Sequence, residues 1–244
     1  MAISFNNIPS NIRVPLFYAE VDNSQASFFQ RQNSSLLIGQ KLSGGTATAN
    51  KLYLVTSVDQ AKSLFGVGSM LARMVELYKK NDDFTELWCL PLDDNGAGTA
   101  ATGSLTITGT ATKAGTLNVY VAGQRVQVAV ASGDTANTVG VALAAAIAAL
   151  TSLPVTGSNS SGVVTLTARH KGEMGNDIDV RVNYLGELGG EITPAGLSTS
   201  VVAMNSGASN PSLTNAIAAM GDKEFVSILA HLERWALQRH LKGQ

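Results

Sequence analysis

Alternation of apolar and polar residues predicts most of the strands in this chain. Strands show either this period of two or a short apolar run between turn residues. The segments that fit are 35–40, 51–56, 84–90, 104–108, 116–121, 125–130, 163–167 and 178–184. Ala122-Gly123 is placed to turn an antiparallel hairpin between the fifth and the sixth of these segments. Pro91 is expected to end the third segment, 84–90.

Apolar residues at helical spacing predict the helices between these strands. The helices expected are 60–65 with Asp59 as N-cap, a longer one opened by Ser69, 135–150 with Asp134 or Thr135 as N-cap, one from Pro211 to Gly221, and the tail from Asp222. The longer helix has an apolar stripe of Met70, Leu71, Met74, Leu77 and Tyr78. In the tail, Phe225, Ile228, Leu229 and Leu232 recur at helical spacing.

These elements predict an α+β fold in which an extended N-terminal arm precedes an α/β core that is interrupted by an inserted β-rich α+β domain. The expected segments are an arm at 1–25, the first part of the core at 26–95, the inserted domain at 96–190 and the continuation of the core at 191–244. A strand at 196–202 is expected to return to the first module.

A change in composition marks the inserted domain. Between Gly96 and Ala168 the only charged residues are Lys113, Arg125 and Asp134. Turn-rich junctions flank this stretch, and its strands can pair among themselves. Residues 97–185 are therefore expected to fold as a unit.

Charge and composition exclude several classes of protein. Only 14% of the 244 residues are charged and the net charge is -1, so no long-range field gathers nucleic acid. The longest apolar stretch, 139–150, is too short to cross a bilayer, and residues 1–13 lack the pattern of a secretory signal. Cys89 is the single cysteine, which excludes an intramolecular disulfide and favours folding in the cytoplasm.

No catalytic, cofactor-binding or metal-binding residues are predicted. His170, His231 and His240 lack the spacing of a metal site, and His170 is expected to be a surface group in a basic turn. Asp177 and Asp179 are expected to share one face of a strand, where solvent exposure explains them better than a cation does. Neither a phosphate-binding loop nor a nucleophile motif is present, and Trp88 and Cys89 fit packing roles.

Self-association fits these features best. A surface with little charge lowers the cost of packing copies side by side, and an arm rich in strand-forming residues can add a strand to a neighbouring sheet. The residues expected to carry this contact are Arg13, Val14, Leu16, Phe17, Tyr18 and Val21.

Three segments resemble the tail sheath proteins of Mu-like contractile-tailed phages. They are the opening ISFNNIPSNIRVPLFYAE at 3–20, LNVYVAGQRVQVAV at 117–130 and LTARHKGEMGNDI at 166–178. The resemblance covers about residues 1–225, which corresponds to the N-terminal half of the family. The family would continue for a comparable length, and residues 226–244 depart from its pattern.

The resemblance implies a structural virion protein, with no enzyme activity and no cofactor. Its subunits would polymerise around a tail tube after assembly in the host cytoplasm, and would contract to drive genome ejection. Neighbouring sheath subunits, the tail tube protein, the baseplate and the tail terminator would be its partners, without direct nucleic-acid contact or membrane insertion. The alternative is a phage-derived surface adhesion or carbohydrate-binding module without sheath assembly. Exposed aromatic residues discriminate the two, and 96–185 holds only Tyr120 and Tyr184. An enzyme is the third possibility.

Overall fold

The computed structural model of the protein describes Arg13 and residues 33–230. The chain divides into two units, 1–32 and 33–244, and the description below concerns the second. The strands are β1 (Ser34–Gln40), β2 (Tyr53–Leu54), β3 (Glu86–Leu92), β4 (Ala100–Gly109), β5 (Gly115–Val121), β6 (Gln124–Val130), β7 (Val155–Ser160), β8 (Val163–Lys171), β9 (Val180–Val182), β10 (Leu197–Asn205) and β11 (Ser227–Ala230). The helices are α1 (Val58–Phe65), α2 (Met70–Asn81), α3 (Ala136–Ala149) and α4 (Thr214–Met220). Helices and several sheets together confirm the α+β class.

The first module is a mixed sheet in the strand order β11-β1-β3-β2. β1 runs parallel to both of its neighbours, while β2 pairs antiparallel with β3. All seven residues of β1 are buried, as expected of a central strand that is covered on both faces. Phe65 of α1 and Leu71 and Val75 of α2 are fully buried in the cluster on one face. Ala216 of α4 lies in the cluster that contains Leu36 and Ile38.

The second module is a β-sandwich of two antiparallel sheets with the strand orders β10-β4-β8-β7 and β6-β5-β9. Both sheets and α3 bury side chains in one core, which includes Leu105, Leu117, Leu143 and Leu166. The expected hairpin is confirmed, because β5 and β6 pair antiparallel around Ala122-Gly123. Both turn residues have positive φ, 49° and 76°, as a type I′ turn requires.

Several predictions at the ends of elements were wrong, for local reasons. Ser57 caps α1 in place of Asp59, because its side chain accepts a hydrogen bond from the Gln60 N–H. Pro91 was expected to end the third strand, but it lies inside β3. It has no N–H to donate, and its carbonyl accepts from the Asn50 N–H. α4 begins at Thr214 and not at Pro211, and the Thr214 N–H donates to the Ser212 hydroxyl instead.

Two predictions of larger elements were also wrong. The strand expected to return to the first module is β10, and it pairs with β4 along Leu197–Asn205, so it extends the sandwich. Its Leu197 and Met204 belong to the sandwich core. Within the tail predicted as a helix, Ser227–Ala230 form β11, parallel to β1, while residues 231–244 lie outside the described residues. β7 was not predicted.

Candidate functional site

The predicted self-association arm falls almost wholly outside the described residues. Arg13 is described and is exposed. Val14, Leu16, Phe17, Tyr18 and Val21 are not among the described residues. Their role in assembly therefore stays a prediction.

β11 forms one edge of the first sheet and is the candidate receptor for an added strand. It is positioned by β1, since Val226 N–H donates to the Ser34 carbonyl (2.9 Å) and the Ser34 hydroxyl donates to the Glu224 carbonyl (3.2 Å). Among residues 33–230 no strand pairs with its outer side. Val226 and Leu229 are 59% and 45% exposed, so the edge also offers apolar surface. An extended segment can hydrogen-bond to such an edge.

The junction between the two modules is a hydrogen-bonded cluster centred on Asp94. One carboxylate oxygen accepts from Gln40 Nε2 (2.7 Å) and from His170 Nδ1 (2.9 Å), and the other accepts from the Lys171 N–H (2.9 Å). Burial alone would raise the pKa of Asp94, but the hydrogen bonds from His170 and Lys171 outweigh it, so the pKa is lowered. One carboxylate thus ties the end of β1 to the end of β8.

His170 is buried, so its prediction as a surface group was wrong. Its Nε2 accepts from the Met70 N–H (3.0 Å) at the start of α2, and this bond places the ring proton on Nδ1, which donates to Asp94. The missed signal is the alternation of β8, which buries Val164, Leu166, Ala168 and His170 in turn. Both ring nitrogens are engaged in holding the modules, which favours a structural role over a chemical one.

A groove lies beside this junction, between α2 and the sandwich. Its volume is about 340 Å³, and Met70, Arg73 and Met74 of α2 form one wall. Met174 and Ile178 of the second module also line it. The lining of the groove is mainly apolar, with Asp177 and Asp179 among its polar residues, so the groove suits an apolar side chain.

The remaining candidate residues have structural partners. Asp177 lies in a turn of 3-10 helix, while Asp179 pairs with Arg181 at 2.8 Å, so the two do not share a strand face as predicted. Cys89 is buried in β3, where burial raises the pKa of its thiol. Trp88 packs in the core of the first sheet and donates to Glu86. No cluster of three potential metal ligands occurs within the described part of the chain.

A second polar cluster lies on the sandwich, around the buried Glu191. Its carboxylate accepts from the Tyr120 hydroxyl (2.6 Å) and from the Leu185 N–H (3.0 Å), with the Arg125 guanidinium at 3.7 Å. Burial would raise the pKa of Glu191, but these partners lower it overall. The same hydrogen bond raises the pKa of Tyr120. The cluster fixes the loop between β9 and β10.

Comparison with known proteins finds similarity to phage tail sheath proteins. Residues 96–199 match the phage tail sheath protein β-sandwich domain. The chain is also 46% identical over 223 residues to the Mu-like prophage FluMu tail sheath protein of Haemophilus influenzae. The chain is therefore similar to a Mu-like phage tail sheath protein over most of its length. The predicted resemblance is therefore confirmed. The aligned part is 91% of this chain and 45% of the H. influenzae protein, so the chain spans about half the length of that relative.

None of the helices within residues 33–230 combines the length and apolar character that crossing a bilayer requires.

Proposed function

We propose that this protein is a non-enzymatic structural subunit of a contractile phage tail sheath. The similarity to a tail sheath protein over 91% of the chain carries this proposal. The matched sandwich domain and the low charge of the chain support it, because burying a surface with few charges between copies has a low desolvation cost. The protein is accordingly a virion component that assembles in the host cytoplasm.

In the proposed assembly, the arm of one subunit adds a strand to the outer edge of β11 in the next. Each main-chain hydrogen bond contributes about 0.5–1.5 kcal/mol net. Fully burying Leu16 or Phe17 contributes about 1.5–3 kcal/mol each, against an ordering cost of about 1–2 kcal/mol per fixed residue. The favourable hydrogen-bond and burial contributions nearly cancel the ordering cost, so the contact of a single arm with one neighbouring subunit is weak. Repetition along a polymer supplies the avidity.

The further partners in this proposal follow from the sheath role. The subunits surround a tail tube, start at a baseplate and end at a tail terminator, and their contraction drives genome ejection. Neighbouring copies provide the direct contacts of the arm. The low net charge fits an assembly without direct contact to nucleic acid.

The alternative, a carbohydrate-binding module, is disfavoured by the two tyrosines that could serve it. Tyr120 and Tyr184 lie together, with ring centroids 5.6 Å apart. The Tyr120 hydroxyl is engaged by Glu191, and the Arg181 guanidinium lies over the ring of Tyr184 at 5.2 Å. Sugar stacking uses an open aromatic face, and the Arg181 guanidinium over the Tyr184 ring together with the packing of the two rings reduces the stacking surface that the pair offers.

Sedimentation of arm variants tests the proposal. The full chain is expected to form weak oligomers whose average mass rises with concentration. Deleting residues 1–22 should shift it towards a folded monomer, whereas deleting residues 1–8, which keeps Arg13–Val21, should not. Equal oligomer distributions for both deletions and the full chain would refute strand donation. Electron microscopy of the same samples checks whether the oligomers are tubes.

A further inference from the structure

The loop between β9 and β10 presents an unusual amount of apolar surface. Tyr184, Leu185, Leu188 and Ile192 are 59%, 53%, 106% and 57% exposed, and all four fall within nine residues; we call them the apolar tip. Single exposed apolar residues are common, but a cluster of large ones on one loop marks a contact surface. Leu188 contributes nothing to the core of its own subunit.

This loop is fixed by hydrogen bonds. Buried Glu191 accepts from Tyr120 and from the Leu185 N–H, while its own N–H donates to the Gly186 carbonyl (2.9 Å). Asn183 Nδ2 donates to the Thr193 hydroxyl (2.9 Å) and closes the base of the loop. The tip is therefore already held in one shape, so a partner that binds it loses little conformational entropy.

The groove beside α2 has complementary properties. Leu71 and Val75 of α2 are fully buried in the core, whereas Met70, Met74 and Leu77 line the groove, and the two methionines are partly buried against the core clusters. Leu77 is 51% exposed. Methionine side chains adapt to a range of apolar shapes. Asp179, which lines the groove, immediately precedes β9. The apolar tip follows the C-terminal end of the same strand.

Charges at the two surfaces also match. Glu187 is exposed next to Leu188, and no ion pair engages it among the described residues. The guanidinium of Arg73 lies in the groove wall, where it donates to the Ala122 carbonyl (3.3 Å). Two carboxylates line the groove. Asp179 is paired with Arg181, so Asp177 is the one whose charge Arg181 does not balance.

We infer that the apolar tip of one subunit inserts into the α2 groove of a second copy, with Leu188 as the anchor and Glu187 facing Arg73. Because the tip and the groove are different surfaces, the contact is head-to-tail. Contacts of that kind propagate into rings or helical filaments, not closed pairs. The inference rests on the proposed self-association and adds a second link, between the sandwich of one subunit and the junction of the next.

Cysteine cross-linking of the full chain tests this contact. Leu188→Cys and Leu77→Cys proteins are mixed and oxidised, and the expected product is a disulfide-linked heterodimer. Val141→Cys replaces Leu77→Cys in the control mixture, because Val141 is equally exposed (54%) but lies on α3. Cys89 is buried and stays in every variant. Equal yields in both mixtures, no cross-link, or a dominant Leu188→Cys homodimer would each overturn the inference.

Charge reversal supplies an independent measurement, in which sedimentation reports the association constant. Glu187→Arg and Arg73→Glu should each weaken association about two- to five-fold, and the double variant should restore it. Leu188→Asp should weaken it about ten-fold or more. Thermal melts confirm that the variants remain folded.

The outcomes also separate the two links. If deleting residues 1–22 abolishes association and Leu188→Asp has no effect, the tip contact is wrong and the proposed arm stands. If the reverse is seen, the strand donation is wrong and the tip contact stands. If neither change affects association, both are refuted.

Discussion

Two adjacent aspartates are expected to differ sharply in their contribution to stability. Asp94 accepts hydrogen bonds from Gln40, His170 and the Lys171 N–H, and its side chain is 26% exposed. Asp93 makes one ion pair, with Lys41 at 3.0 Å, and its side chain is 67% exposed. Asp94→Ala therefore removes the shared acceptor of the module junction, while Asp93→Ala removes an exposed carboxylate with a single ion-pair partner and serves as its matched control.

The size of the difference follows from these contacts. Hydrogen bonds to a charged group contribute about 1.5–3 kcal/mol each when buried, and partial exposure lets water replace some of that. Asp94→Ala should lower the free energy of unfolding by about 2–4 kcal/mol. Asp93→Ala should lower it by about 0–1 kcal/mol. The loss for His170→Ala should be close to that for Asp94→Ala, because it removes one of the hydrogen bonds to the Asp94 carboxylate and also leaves the Met70 N–H without its acceptor.

Urea unfolding followed by circular dichroism gives these values. Hydrogen exchange provides a local check, because the amides at the start of α2 should exchange faster in His170→Ala while those of the β5–β6 hairpin should not change. If Asp94→Ala and Asp93→Ala destabilise equally, or if exchange at α2 is unaffected, the junction does not depend on this cluster.

The stabilisation from Asp94 should also depend on pH. Its folded pKa lies below the unfolded value of about 3.9, so folding favours the charged form. The contribution is complete above the unfolded pKa and is lost as the pH falls through the folded pKa. The difference in unfolding free energy between the wild type and Asp94→Ala should therefore be full at about pH 5 and shrink below about pH 4. A difference that stays constant to pH 2 would contradict this cause.

Two further predictions concern the sandwich. Ala122 has a φ of 49°, a conformation that costs energy for a non-glycine residue. Ala122→Asn should create the favoured Asn-Gly turn and raise the free energy of unfolding, measured by urea titration, by about 0.5–1 kcal/mol. A fragment of residues 97–206 should show a cooperative thermal transition, whereas a fragment of residues 97–185 should not. Only the longer fragment contains β10, which pairs with β4 and contributes Leu197 and Met204 to the core. Cooperative melting of the shorter fragment would show that β10 is dispensable.

Elements with complete local signals were predictable from the sequence. Ser69 caps α2 as expected, and Thr135, one of the two residues expected, caps α3, because a hydroxyl before a run of helix formers satisfies an N–H of the first turn. The β5–β6 hairpin was likewise predictable from its alternation and its turn residues. In these cases the residues that decide the structure are neighbours in the chain.

β11 was not predictable, because its surroundings decide its structure. Ile228 and Leu229 fit the helical period, but Val226, Ile228 and Ala230 also fit the alternation of a strand. So short a segment cannot be assigned by period alone. Pairing with β1 resolves the ambiguity, and the Ser34–Glu224 hydrogen bond that accompanies it joins residues 190 positions apart.

The junction illustrates the same limit for the candidate site. Asp94 and His170 are 76 positions apart, and each alone fits an ordinary loop or surface residue. Gly68 adds a backbone contact that no side-chain pattern can reveal, since a Cβ there would lie 2.3 Å from the Thr151 carbonyl oxygen. The modules therefore meet through directional hydrogen bonds and a close backbone approach, and not through a broad apolar surface. Such a joint holds the two modules in one arrangement, which is what the proposed head-to-tail contact between the apolar tip and the α2 groove requires.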